Sequence, residues 1–159
     1  MRFFKLTRPR LFKIFTFILL LAISAVALCS DASSSDFTSV EYIKNYDGDT
    51  FTVNIKSLPD VFGKEIPVRI RGVDTPEMHA DRECEKDAAE NARLFLKRTL
   101  SGARIKLLGC ERDKYFRLLC TVKAGNVDVA DRILKGRWGV SYDGGTKAPW
   151  FCGNPEKQE

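Results

Sequence analysis

Alternating apolar and polar residues predict five short strands along the chain. In residues 68–73, for example, Arg69 and Arg71 alternate with aliphatic neighbours. Such alternation is typical of a strand that buries one face. The predicted strands are 39–46, 50–56, 66–73, 104–108 and 118–122, with a further extended stretch at 138–141. The proline- and glycine-containing segment 58–64 is predicted to be a loop.

A helical period replaces the alternation in residues 84–100. There the apolar residues recur on one stripe, opposite Glu, Lys and Arg: Ala88, Ala92, Phe95, Leu96 and Leu100. This pattern predicts one long amphipathic helix, and residues 127–135, closed by Gly136, predict a short one. Three strands, a helix, two strands and a helix predict an α+β domain built on a closed five-stranded barrel of the OB type.

The first thirty residues differ from this domain. Five basic residues precede Ile14, and residues 14–28 form a strongly apolar run without a charged residue. This pattern predicts a secretory signal peptide at 1–30 and a secreted or periplasmic protein. A retained membrane anchor is the alternative, but the run is shorter than the roughly 20 residues that a spanning helix needs. We expect a linker at 31–38, the domain at 39–152 and a tail at 153–159.

The charge distribution also changes along the chain. The formal net charge is +5, and all five excess positive charges precede Ile14. Residues 36–90 contain 7 basic and 13 acidic residues, whereas 91–123 contain 9 basic and 2 acidic ones. An acidic half beside a basic half suits a metal-dependent enzyme that acts on phosphates. A solvated basic helix face beside an acidic loop explains the counts equally well.

Four cysteines lie beyond the N-terminal segment. In an exported chain an even number favours disulfides. Cys110 and Cys120 flank a predicted hairpin, which leaves Cys84 to pair with Cys152. Sequence alone permits three pairings, and this one is a hypothesis. A zinc site is the competing interpretation, but the chain has one histidine and no C-x-x-C pair.

Charged residues cluster where the third predicted strand ends. Pro76 cannot continue a sheet ladder, so the strand stops near Asp74. Asp49 begins another strand, and two carboxylates that converge with a main-chain carbonyl suit Ca²⁺ or Mg²⁺. Alternatively, Asp47 and Asp49 only cap turns. Glu77 is a candidate general base.

Two arginines are candidates for phosphate binding. The planar guanidinium groups of Arg69 and Arg117 can pair with two phosphate oxygens and stabilise a charged transition state. The alternative for either arginine is an ordinary surface charge.

Three sequence blocks carry a family resemblance. They are DGDT at 47–50, VRIRGVDTPE at 68–77 and DKYFR at 113–117, in this order and with a predicted helix between the second and third. With these blocks, the chain resembles the staphylococcal nuclease (thermonuclease) family from about Val40 to Tyr142. Because only seven residues follow Cys152, we expect the family's last helix to be missing or reduced. Phe116 stands where the family has a glycine.

The resemblance implies a Ca²⁺-dependent endonuclease on an OB-fold that cleaves DNA and RNA, preferably single-stranded, and leaves 3′-phosphates. Its residues map onto this chain in three groups. The implied metal ligands are the carboxylates of Asp49 and Asp74 and the carbonyl of Thr75. The implied catalytic residues are Arg69, Glu77 and Arg117. The implied substrate-binding residues are Lys114, Tyr115 and Tyr142.

Two other functions compete with a nuclease. One is a catalytically silent OB module that binds nucleic acid; such modules usually lack some of the carboxylates or arginines, all of which are present here. The other is a Ca²⁺-dependent envelope or lipoprotein adaptor, which rests on the N-terminal segment alone. We expect a monomer without a protein partner.

Overall fold

A computed structural model of the chain describes residues 35–147, 149–150 and 152. The predicted signal peptide, the start of the predicted linker and the tail at 153–159 lie outside the described residues. Within the described part, no helix combines the length and apolar character needed to cross a membrane.

The described residues form eight strands and three helices. The strands are β1 (Ser35–Asn45), β2 (Thr50–Ile55), β3 (Ile66–Ile70), β4 (Val73–Asp74), β5 (Ile105–Arg112), β6 (Leu118–Ala124), β7 (Val127–Asp128) and β8 (Val140–Ser141). The helices are α1 (Asp60–Gly63), α2 (Glu83–Leu100) and α3 (Val129–Lys135).

Five of the strands close into a mixed barrel. The sheet runs β3-β2-β1-β5-β6-β7, and β3 also pairs with β6. The β3–β6 pairing is parallel, with Val68 opposite Leu118 and Ile70 opposite Cys120, whereas the other pairings in this sheet are antiparallel. Closure removes the exposed edges that an open five-stranded sheet would have. The predicted α+β fold with an OB-type barrel is confirmed.

The barrel interior is filled by alternate residues of its strands. In β2, for example, Phe51, Val53 and Ile55 are buried and their neighbours are partly exposed. Helix α2 adds Leu96 and Leu100 to the same core. Burial of this apolar surface is the main force that holds the barrel closed.

Several element boundaries differ from the prediction. Strand β1 begins at Ser35 rather than Ser39, because Ser35 pairs with Cys110 and Phe37 packs against the core. The predicted loop at 58–64 contains the four-residue helix α1. The predicted strand 66–73 is broken after Ile70 by Gly72, whose φ is +86°.

The helices also differ in detail. In α2 the buried stripe includes Ala89 rather than the predicted Ala88. Helix α3 begins at Val129, two residues later than predicted, because Asp128 accepts a hydrogen bond from the Asp131 N–H and caps it. The predicted loss of the family's last helix concerns residues that lie largely outside the described part of the chain.

Both predicted disulfides are present. Cys110 and Cys120 join β5 to β6 with their Cα atoms 4.4 Å apart. Cys84 and Cys152 join the start of α2 to the end of the described chain, with a Cα–Cα distance of 5.7 Å. The second bridge holds the segment after β8 against the domain.

Candidate active site

The DGDT turn at 47–50 sets the position of Asp49. The carboxylate of Asp47 accepts hydrogen bonds from the N–H groups of Asp49 (3.0 Å) and Thr50 (2.6 Å), so Asp47 caps the turn. A Cβ atom on Gly48 would lie 2.7 Å from the Cβ of Ala92 in α2. Only glycine therefore lets the turn approach the helix so closely.

Thr75, which directly follows β4, fixes the carboxylate of Asp49 by hydrogen bonds. Oδ2 of Asp49 accepts two 2.8 Å hydrogen bonds from Thr75, one from the backbone N–H and one from the hydroxyl. Both residues are buried. Burial raises the pKa of Asp49, and the Arg69 charge and these hydrogen bonds only partly oppose that effect.

Arg69 lies between the two buried aspartates. Its Nη2 donates to Asp74 Oδ1 at 2.9 Å. Its Nη1 lies 2.5 Å from Asp49 Oδ1, as an ion pair whose angle departs from that of a hydrogen bond. The Arg69 guanidinium therefore connects the two carboxylates that were predicted to be metal ligands.

Lys147 contacts the other carboxylates of this region. Its Nζ lies 3.0 Å from Asp74 Oδ1 and also donates to Glu77 Oε1. Burial of the ammonium opposes its charge, yet the hydrogen bonds to Glu77 and Asp74 prevail and raise the pKa of Lys147. The ammonium group therefore stays charged and bridges Asp74 and Glu77.

Arg117 is held by the loop between β5 and β6. Asp113 accepts hydrogen bonds from the Arg117 backbone N–H (2.9 Å) and from its Nε (2.8 Å). The guanidinium lies 5.2 Å from the ring centre of Tyr115, and the Lys114 ammonium lies 5.1 Å from the same ring. Nη1 of Arg117 approaches Thr50 Oγ1 at 3.4 Å, so this arginine faces the DGDT turn.

One pocket of about 220 Å³ collects most of the predicted site. We call it the carboxylate pocket. Eight of the nine predicted catalytic, metal and substrate residues line it: Asp49, Arg69, Thr75, Glu77, Lys114, Tyr115, Arg117 and Tyr142. Asp74 does not line it; it lines a neighbouring cavity, together with Glu77 and Lys147.

A larger cavity of about 570 Å³ adjoins this site. Arg69, Arg117, Lys114, Tyr115 and Tyr142 line this cavity as well. Its aromatic and cationic walls are the kind of surface on which bases stack and phosphates bind. The two cavities together offer room for a nucleotide with its phosphate beside the carboxylates.

The donor set fits a hard divalent cation. Asp49 and Asp74 supply buried anionic oxygens, and the Lys147 ammonium already occupies a cation position beside Asp74. Within the described ranges, no third His, Cys, Asp or Glu completes a metal cluster. Such an ion would therefore need the Thr75 carbonyl, water or a substrate phosphate to complete its shell, as Ca²⁺ and Mg²⁺ commonly accept.

Sequence reasoning missed Lys147. It lies on the irregular segment after β8, 70 residues from Glu77, and no motif or period distinguishes it from other surface lysines. Its position depends on the β4–β8 pairing and the Cys84–Cys152 bridge, which only the folded chain brings together.

Comparison with known proteins relates part of the chain to nucleases. Residues 67–140 match the family model described as staphylococcal nuclease homologue. The chain is 34% identical over 103 residues to a probable endonuclease LCL3 of Podospora anserina, covering 60% of this chain and 36% of that protein. It is 31% identical over 97 residues to an uncharacterized protein of Bacillus anthracis, covering 59% and 42%.

A second probable endonuclease LCL3, from Pyricularia oryzae, is 46% identical over 61 residues, covering 38% of this chain and 23% of that protein. The chain thus spans less than half the length of these curated relatives. The matched segment contains nearly all of β3, the turn at 74–77, α2 and the Arg117 loop, whereas the DGDT turn at 47–50 precedes it. The barrel has the OB-type topology, and residues 67–140 within it are similar to the staphylococcal nuclease family.

Proposed function

We propose that the protein is a Ca²⁺-dependent endonuclease that hydrolyses phosphodiester bonds of DNA and RNA and leaves 3′-phosphates. The observation that carries the proposal is the convergence of Asp49, Glu77 and Arg117 on one small pocket. The similarity of residues 67–140 to a nuclease family, and relatives named probable endonucleases, support a nucleic acid as substrate.

The chain's own residues suit an in-line hydrolysis. Glu77 is an exposed carboxylate on the pocket wall, and it accepts a proton from the attacking water as the new P–O bond forms. Arg117 and Arg69 donate to the non-bridging oxygens as negative charge develops there. The bond to the 5′-oxygen then breaks, and that oxygen takes up a proton from solvent.

A calcium ion, when bound, would supply positive charge beside the scissile phosphate. Asp49, Asp74 and the Thr75 carbonyl would hold it. Lys114, Tyr115 and Tyr142 would position the nucleotide in the larger cavity, where aromatic faces favour unpaired bases. This arrangement supports the preference for single strands.

We also propose that the protein is exported through its N-terminal segment. The two disulfides support this, because disulfides persist mainly in oxidising compartments. N-terminal sequencing of the exported form tests it, and an intact N-terminus on a membrane-bound product would instead support the anchor.

A catalytically silent nucleic-acid-binding module is the second candidate. Arg69 pairs with Asp74, Arg117 with Asp113 and Lys147 with Glu77. These ion pairs favour the silent module, because they occupy groups that catalysis needs.

One assay separates the two functions. The purified protein is incubated with a single-stranded oligonucleotide and Ca²⁺, then with EGTA. We expect chelator-sensitive cleavage that falls by roughly 10²–10⁴-fold in Glu77→Gln, the range for loss of a general base, and that is also lost in Arg117→Ala. The exposed residues Glu83 and Arg104 provide matched controls, Glu83→Gln and Arg104→Ala, which should cleave normally. A mobility shift without cleavage would favour the silent module.

A further inference from the structure

Lys147 lies between the carboxylate pocket and the neighbouring cavity, which hold residues that were predicted to form one site. Asp49 lines the carboxylate pocket, and Asp74 lines the neighbouring cavity. Lys147 and Glu77 border both. The lysine side chain therefore lies at the boundary between the two proposed carboxylate ligands.

The contacts of Lys147 are those of a bound cation. Its Nζ lies 3.0 Å from Asp74 Oδ1 and contacts Glu77 Oε1. The Asp74 side chain is 4% exposed and that of Lys147 is 47% exposed, so the ammonium reaches a buried carboxylate from the solvent side. A divalent ion approaching Asp74 from the same side would meet this positive charge.

We propose that Lys147 is a resident cation of the carboxylate site, which competes with a divalent ion for Asp74 and Glu77. The divalent ion binds fully only when the ammonium has moved away. This inference rests on the proposed function, because it takes Asp74 as a ligand of the metal that the nuclease uses.

The segment that carries Lys147 is attached to the rest of the domain at both ends. We call residues 142–147, 149–150 and 152 the strap. At its start the Tyr142 N–H donates to the Gly72 carbonyl at 3.1 Å. At its end Cys152 is bonded to Cys84, and Arg82 donates to the Trp150 carbonyl. The strap therefore keeps the ammonium close to Asp74 without making it part of the barrel core.

Competition between Lys147 and a divalent ion should change the apparent dissociation constant of that ion. The apparent dissociation constant equals the intrinsic one divided by the fraction of molecules in the binding-competent state. If Lys147 occupies the site in nine molecules out of ten, removing its charge should tighten divalent binding about tenfold. The effect should be local to this lysine, because it depends on contact with Asp74 and Glu77.

The test measures calcium binding itself. Isothermal titration of Ca²⁺ is carried out on the purified protein and on Lys147→Met and Lys114→Met. Lys114 lines the same pocket but contacts the Tyr115 ring rather than the carboxylates. Thermal unfolding with and without Ca²⁺ verifies that each variant is folded and gives a second measure of binding.

We expect Ca²⁺ to bind Lys147→Met about tenfold more tightly than the unaltered protein, with Lys114→Met within about twofold. An equal or weaker affinity of Lys147→Met would overturn the inference and leave the proposed calcium enzyme standing. Failure of all three folded proteins to bind Ca²⁺ would overturn both the inference and the calcium dependence.

Discussion

The Asp49 carboxylate accepts two hydrogen bonds of 2.8 Å from Thr75, one from its backbone and one from its hydroxyl. Asp49 precedes β2 and Thr75 follows β4, so this pair joins two strand ends that are 26 residues apart. It orients the proposed metal-binding carboxylate before any ligand arrives.

Thr75→Val tests the energetic value of this pair. Valine keeps the shape and the backbone donor but removes the hydroxyl, which leaves a buried carboxylate with one partner fewer. We expect the free energy of unfolding to fall by about 1–3 kcal/mol, as for a lost hydrogen bond to a charged group. Urea unfolding measures this.

Thr99→Val is the matched control for that change. The Thr99 hydroxyl donates to the Phe95 carbonyl within α2, a bond that ordinary helices do without. We expect an effect well below that of Thr75→Val. Equal stability losses in the two variants would show that the Asp49 contact has no special role.

Arg69→Met should be the most destabilising single change at the site. The Arg69 side chain is 8% exposed and lies against two carboxylates that are equally buried. Removing the only guanidinium between them leaves buried charge uncompensated, which costs about 3–5 kcal/mol. Urea unfolding should therefore show a much lower midpoint.

Arg71→Met provides the comparison for Arg69. Arg71 follows the end of the same strand; it is half-exposed, pairs with the exposed Glu111 and donates to the carbonyls of Gly109 and Leu119. We expect its loss to cost about 1–2 kcal/mol, less than that of Arg69, because its charge is screened by solvent. The double variant Arg69→Met/Asp74→Asn should recover part of the lost stability, and failure to recover any would contradict this account of the cluster.

The barrel was predictable largely because β2, β5 and β6 bury alternate residues. Phe51, Val53 and Ile55 show this in β2, and Ile105 and Leu107 in β5. Most of the residues that line the carboxylate pocket could be named from the sequence because they lie within three short motifs at strand ends and turns; Tyr142 lies outside all three.

The ion pairs among the site residues were not predictable. Nothing in the spacing of Arg69 indicates that its guanidinium joins Asp49 to Asp74, because that geometry depends on the β2–β3 register. The position of Lys147 at the site depends on the strap, which the Cys84–Cys152 bridge holds in place. Helix α1 was missed because four residues are too few to show a helical period.

The Cys84–Cys152 bridge should contribute substantially to stability. It joins residues 68 positions apart, and in the chain-entropy model a loop of this length corresponds to about 4 kcal/mol. We expect Cys84→Ser/Cys152→Ser to unfold at lower urea concentration than the unaltered protein. Identical unfolding midpoints would show that the bridge restricts the unfolded chain very little.

Asp128 should contribute to acid sensitivity. Burial would raise its pKa, but the Lys123 hydrogen bond and the cap of α3 prevail and lower the pKa below its ordinary value of 3.8. A lowered carboxyl pKa adds stability that is present above the unfolded-state pKa. That stability is lost as the pH falls through the folded-state pKa.

Asp128→Asn keeps a capping side chain but removes this titration. The stability difference between the two proteins should be about 0.5–1 kcal/mol at neutral pH, since a partly exposed pair is screened, and should shrink below pH 4. Urea unfolding at several pH values measures it. A difference that stays constant down to pH 2 would contradict the assignment.

Phe116 adopts a conformation that disfavours its side chain. Its φ is +63°, in the left-handed region, and its ring is among the exposed large apolar groups. The turn holds it there, because Phe116 N–H donates to the Asp113 carbonyl at 3.0 Å while its own carbonyl accepts from Arg112 Nη1 at 2.6 Å. Since little packing compensates the strain, asparagine should be favoured at this position.

Phe116→Asn should therefore raise the free energy of unfolding by about 1 kcal/mol, the cost of a left-handed residue that asparagine tolerates better. Val61→Asn is the control, because Val61 is equally exposed and its φ is not positive. Val61→Asn should leave stability nearly unchanged. A loss of stability in Phe116→Asn would mean that the ring makes contacts that outweigh the strain, in which case the residue next to Arg117 supports the loop through its side chain.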